Sequence, residues 1–175
     1  SWRIGVTASL SLCDKRRMFA LRLLGPPVLE VAGRPLALPT IKGTALLVLL
    51  ALEGPTPRER IAAWLWPQQD AARSRRNLRR ELARLREVGA GDALVSRGER
   101  LGLSDVVDID CVHFIANLDA ADTDAALALW RGVPADGLSL PDAPAFDDWL
   151  ANRNNITIRY QQHITQRNGL ADRAI

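Results

Sequence analysis

Seven arginines fall between Arg73 and Arg86, against two acids, Glu81 and Glu87, in the stretch from Ala71 to Val88. On an α-helix each residue turns about 100°. With Leu78 as zero, Leu82 falls at about 40° and Leu85 at about −20°, with Ala71 and Ser74 close by, so the apolar residues form one narrow stripe. Roughly opposite lie Arg73, Arg76, Asn77, Arg80 and Arg84, and Arg75, Arg79 and Arg86 flank the stripe on one side. Arginine offers charge to phosphates and a planar fork to guanine edges, and asparagine can pair bidentately with adenine. A leucine seam backed by such a face suits a DNA groove. The plain alternative is a solvated surface helix, because the chain uses 21 arginines and only two lysines, Lys15 and Lys42. The candidate DNA contacts on this helix are Arg73, Ser74, Arg75, Arg76, Asn77, Arg79, Arg80 and Arg84. Asn77 or Arg80 is expected to reach base edges, with Arg76 next, and Arg79 and Arg84 to meet phosphates.

The flanking elements would position that helix. Thr40 can cap a helix from Ile41 to Glu53, with Gly54 as its stop. Ala45 to Leu52 is apolar nearly all round, which places this helix in the core. Thr56-Pro57-Arg58-Glu59 reads as a capping box with proline at the first helical position. The helix it opens should run to about Trp66 and stop at Pro67, with Ile61, Ala62, Leu65 and Trp66 facing inward. Gln68 to Asp70 then lead into the basic helix, giving a helix-turn-helix with a lengthened turn. After Gly89-Ala90-Gly91, residues 94–103 read as a tight hairpin, the wing of a winged helix. Arg97 and Arg100 at its tip would meet a phosphate backbone or minor groove, or be two charged turn residues.

Length and charge bound the rest. A chain of 175 residues suffices for one domain or two small ones. Residues 1–104 carry a net charge of +9 and residues 105–175 carry −6, within the overall +3. That asymmetry suggests two modules with different partners, a polyanion for the first. Residues 1–17 are expected to be a leader or disordered extension, with the ordered pattern starting after Met18. Phe19–Leu24, Val28–Val31 and Leu36–Leu38 read as three short antiparallel strands. In the second half, Val106–Ile109 reads as a strand, and Asp108 or Asp110 as the cap of a helix through Leu118. Asp122 or Asp124 starts a helix over 125–131, and a longer helix spans about 145–166. The tail from Gly169 begins a further helix and stops, so the helical array looks truncated.

Other chemistries find little support. Cys13 and Cys111 lack a metal or redox spacing, which fits a reducing cytoplasm. His113 and His163 are isolated. No P-loop, dinucleotide turn, metal spacing or nucleophile–base pattern is present, so neither an enzyme nor a cofactor is expected. No run of about 18 apolar residues suggests a membrane span.

The words of the sequence also carry a family resemblance. Ala62-Ala63-Trp64-Leu65-Trp66-Pro67, followed by Ala72 to Arg86, resembles the SARP-type bacterial transcriptional activators. Val107-Asp108-Ile109-Asp110 with Phe114, Leu129-Trp130-Arg131-Gly132, and Leu140 to Leu150 are similar to their bacterial transcriptional activator domain. The resemblance spans about Phe19 to Tyr160. It implies an α+β winged helix-turn-helix domain of OmpR/PhoB type over residues 18–104. An all-α, TPR-like helical domain would follow over 105–175, incomplete. It also implies binding to double-stranded promoter DNA, often at direct repeats, and recruitment of RNA polymerase. The acidic second half is expected to contribute protein contacts or pairing with a second copy rather than DNA contacts. The alternative function is a protein-interaction module whose basic helix docks on an acidic partner.

Overall fold

The computed structural model describes residues 19–171. The leader expected over 1–17 and the last four residues lie outside the described residues. Strands β1 (Phe19–Arg22), β2 (Val28–Val31) and β3 (Arg34–Leu36) form the expected antiparallel start, the third shifted toward Arg34. A fourth strand, β7 (Val107–Ile109), joins this sheet parallel to β1, giving the order β3-β2-β1-β7. The small size of each strand is offset by burial: Phe19, Leu21 and Leu29 are almost fully enclosed.

Helix α1 (Ile41–Glu53) is the centre of the core. Thr40 Oγ1 accepts a hydrogen bond from Gly43 N at 3.0 Å, which satisfies one orphan donor of the first turn. Gly54 stops the helix with φ 76°, its N–H reaching the Leu50 carbonyl at 3.0 Å. Residues 45–50 are all buried, so apolar patterning all round the helix translates directly into enclosure.

Thr56 and Pro57 form a short strand, β4, and α2 (Arg58–Leu65) begins after them. The capping box expected at Thr56 is therefore corrected. Thr56 pairs with Leu101 across a sheet, its hydroxyl donates to the Gly54 carbonyl at 2.9 Å, and Arg58 N donates to the Glu99 carbonyl at 2.9 Å. Strand pairing has taken the donor that a helix cap would have used. The basic helix, α3 (Ala71–Glu87), is capped by Asp70, whose carboxylate accepts from Arg73 N at 2.8 Å. Its seam of Leu78, Leu82 and Leu85 is buried, and α3 packs on both α1 and α2. The hairpin of β5 (Leu94–Arg97) and β6 (Arg100–Leu103) follows, and β4 adds to it in the order β4-β6-β5.

Helices α4 (Asp110–Asp119), α5 (Thr123–Leu129) and α6 (Pro144–Ala171) make up the second half. Asp122 caps α5 as expected, accepting from Ala125 N at 3.1 Å. The start of α4 differs from expectation, since neither Asp108 nor Asp110 caps it. Asp110 is buried and faces back: its carboxylate accepts from Leu23 N at 2.8 Å and Leu24 N at 3.1 Å, and pairs with Arg131 at 3.3 Å. Asp108 meets Arg22 at 2.9 Å and His113 Nε2. Burial works to raise the Asp108 pKa, but hydrogen bonds from His113 and Arg22 outweigh it and hold the carboxyl below its usual range. Burial and the neighbouring Asp110 push the Cys111 thiol up to about 12, which leaves it an inert packing residue. The expected break near Gly169 is also corrected, because α6 continues to Ala171.

The two halves share one core. A single buried cluster runs from Phe19 through α1 and α3 to Phe114, Phe146 and Leu150. Trp64 on α2 stacks on Trp149 of α6 with centroids 5.5 Å apart, and Trp149 Nε1 donates to Glu53 at 2.6 Å. Ala135 N reaches the Leu23 carbonyl at 2.8 Å. The boundary expected at residue 104 thus cuts through paired structure, because β7 lies beyond it in sequence and inside the first sheet in space.

Two predictions follow from this packing. Leu82→Ala should cost about 2–5 kcal/mol, read as a lowered thermal midpoint; an unchanged midpoint would contradict the buried seam. A chain ended after Ser104 loses β7 and exposes Leu23, Leu24 and Trp64. It should show a broadened, non-cooperative melt by circular dichroism, whereas a sharp transition at the full chain's midpoint would show that the first half folds alone.

Candidate nucleic-acid interface

The outer face of α3 follows from helix geometry and one capping residue. Asp70 is held below the usual carboxylate range chiefly by the Arg73 N–H, aided by the Arg73 and Arg76 charges. A lowered folded-state pKa means that the cap's contribution is present above the ordinary Asp range and is lost as pH falls through the folded value. From this start the helix runs 17 residues. Its buried positions are Ser74, Leu78, Glu81, Leu82 and Leu85, and everything else is exposed or half-buried.

The seven helix arginines divide by partner. Arg73 donates to Gln69 at 3.3 Å, Arg75 pairs with Glu59 at 3.3 Å, and Arg84 pairs with Glu81 at 3.2 Å. Arg76, Arg79, Arg80 and Arg86 make no ion pair or side-chain hydrogen bond among the described residues. Arg76 and Arg80 lie furthest from the seam, about 160° to either side of Leu78, and both are exposed. Asn77 is half-buried, because about 100° of rotation from Leu78 puts it at the flank rather than opposite.

Ser74 is corrected. It was expected among the DNA contacts, but it is buried and its hydroxyl donates to the Trp66 carbonyl at 3.2 Å and lies 3.4 Å from that of Gln69. It fastens the turn between α2 and α3 instead. Its place beside the apolar stripe carried that signal.

The hairpin stands on the Arg75–Arg79 side. Arg97 and Arg100 are its last paired residues, and Gly98, with φ 59°, allows the two-residue turn through Glu99. Arg100 Nη1 donates to the Pro55 carbonyl at 2.7 Å, and Arg97 lies 3.9 Å from Asp105. Both remain exposed, and the Arg97 contact is too long and too solvated to hold the side chain firmly. Between hairpin and helix runs a groove of about 460 Å³, lined by Pro57, Arg58, Glu59, Arg75, Leu78, Arg79 and Glu99. Three guanidinium groups and two carboxylates therefore share one surface. Sequence reasoning missed Arg58 and Glu59, which the packing of α2 on α3 brings to this face, and Glu99, which the pairing of β4 with β6 brings beside them.

Among the described residues no group of three or more His, Cys, Asp or Glu side chains could hold a metal. No described helix is long and apolar enough to cross a membrane.

If the hairpin tip meets DNA phosphates, replacing both Arg97 and Arg100 by alanine should weaken binding to all duplex sequences alike and flatten the salt slope by about one to two units. Loss of sequence preference at an unchanged slope would contradict a phosphate role for the hairpin tip.

No protein-family model matches the sequence. No curated protein matches it either. Among solved structures, the chain is similar to Mycobacterium tuberculosis EmbR, determined in complex with a low-affinity phosphopeptide. The TM-score is 0.65 at 21% identity, over 82% of this chain and 44% of that one. The likeness is one of fold, and this chain spans less than half the length of that protein. It is compatible with a winged helix followed by further helices.

Proposed function

We propose that this chain is a sequence-specific, double-stranded DNA-binding transcriptional regulator of the SARP type, with α3 as the recognition helix and the β5–β6 hairpin as its wing. One observation carries the reading. The leucine seam of α3 is buried while Arg76, Arg79 and Arg80 stand exposed and unpaired among the described residues, beside a hairpin carrying two further arginines. Unpaired guanidinium groups on a rigid helix are pre-organised for phosphates and guanine edges, with little side-chain structure to break on binding. The fold shared with EmbR supports the same reading.

Finer assignments belong to the proposal as well. Arg76 and Arg80 reach base edges, with Asn77 at the groove wall, and Arg73, Arg75, Arg79 and Arg84 meet phosphates. The helices after β7 form a TPR-like unit that contacts RNA polymerase, as an activator does, or a second copy on direct repeats, and the protein works in the cytoplasm. A second reading has one observation in its favour. Glu59 and Glu99 line the groove next to α3, and carboxylates there suit a protein partner of mixed charge better than a bare phosphate backbone. Binding to random duplex DNA with a steep salt slope favours the first reading, and a flat slope favours the second.

Selection from a random duplex pool should yield a recurring motif. On that motif Arg76→Ala or Arg80→Ala should cost about 1–3 kcal/mol and little on random DNA, while Arg79→Ala weakens both equally. If Arg76→Ala, Asn77→Ala and Arg80→Ala all leave the cognate-to-random ratio unchanged, this face does not read sequence.

A further inference from the structure

Glu81 is the one acid in the middle of the basic helix, and it is not on the surface. Its side chain is 3% exposed, while Arg84, its ion-pair partner at 3.2 Å, is 51% exposed. On the other side Thr40 Oγ1 donates to Glu81 Oε1. The same Thr40 oxygen accepts from Gly43 N and so caps α1. The carboxylate is thus the middle link of a chain that starts in the first turn of the core helix and ends at a guanidinium on the outer face of α3. Helix α1 has no acid in its own first turn, and Glu81 supplies the negative charge that its N-terminal dipole favours.

Space at this contact is tight. A Cβ built on Gly43 would lie 3.0 Å from Glu81 Oε1 and 3.3 Å from Leu85 Cδ2. The glycine lets α3 approach α1 closely at that point. Leucine packing alone leaves a helix some freedom to roll about its axis, since apolar contacts are not directional. A hydrogen-bonded carboxylate is directional, and a polar group in an apolar interface is a known device for fixing register.

We propose that Glu81 is a positioning residue that sets the roll of α3 on α1 and so aims Arg76, Asn77 and Arg80. This rests on the DNA-binding reading above. The test compares wild type, Glu81→Met and Glu81→Asp in the full chain, on the selected duplex and on a random duplex. Methionine keeps the length and removes the directional contacts, leaving the Thr40 cap intact. Aspartate keeps the charge but is one methylene too short to hold Thr40 and Arg84 together.

The cognate-to-random affinity ratio should fall about tenfold in Glu81→Met, the scale of one lost base contact. It should fall in Glu81→Asp as well. A merely structural role would lower the melting temperature and the active fraction but leave the ratio as in wild type. An unchanged ratio in a folded Glu81→Met overturns the proposal. Should that variant fail to fold, an unchanged ratio in Glu81→Asp overturns it instead. A wild-type protein that shows no preference between the two duplexes overturns the DNA reading, and this proposal with it. That outcome is distinct from a wild type that discriminates and variants that discriminate equally well.

Discussion

Six consecutive residues of α1, Ala45 to Leu50, are buried, so the middle of this helix turns no side to water. Other elements must surround it, and the molecule is built by meeting that demand. Helices α2 and α3 and the hairpin strand β6 all pack on it. The basic helix owes its orientation to this enclosure. Most of its own sequence is too polar to pack, so the leucine seam with the buried Ser74 and Glu81 must hold it, and a seam works only where a continuous apolar surface waits for it.

The enclosure also explains how so many like charges coexist. Three of the seven arginines on α3 are tied to neighbours, two of them to carboxylates supplied by Glu59 and Glu81. The Arg75–Glu59 pair, exposed at both ends, adds little stability, about 1 kcal/mol at most. The consequence of these ties is organisational, since they leave Arg76, Arg79, Arg80 and Arg86 as the arginines of α3 without partners among the described residues. Repulsion among these remaining groups is tolerated because they project into solvent, where the dielectric constant is high.

The second half belongs to the same core and works as a brace. Asp110 gathers two backbone N–H groups of the β1–β2 connection and the Arg131 guanidinium. Lys42 on α1 donates to the last carbonyl of α2, lies over Trp66, and pairs with Asp142 at 2.8 Å. Arg60, Trp64 and Trp149 stack in succession from α2 to α6. An opposite net charge in the two halves is therefore no sign of separation. It allows cross-half ion pairs such as Arg22–Asp108 and Lys42–Asp142.

The helices, their order and the leucine seam were legible in the residues because helical periodicity is local and repeats every few positions. The caps at Thr40 and Asp122 were legible for the same reason, being contacts within three residues, whereas Asp70 read only as the end of a loop. The cap expected at Thr56 failed because its donor, Arg58 N, was claimed by the Glu99 carbonyl in the hairpin turn, more than forty residues away. Asp110 turned from a helix start into a long-range clamp by the same kind of competition. Glu81 sits only about 60° from Leu78 on the helical wheel, so its position hinted at burial, but its partner Thr40 is far off in sequence. Which arginines on α3 are tied and which stand unpaired could not be read from one helix. Spacing along a chain fixes which residues share a face, and only the folded chain decides what that face meets.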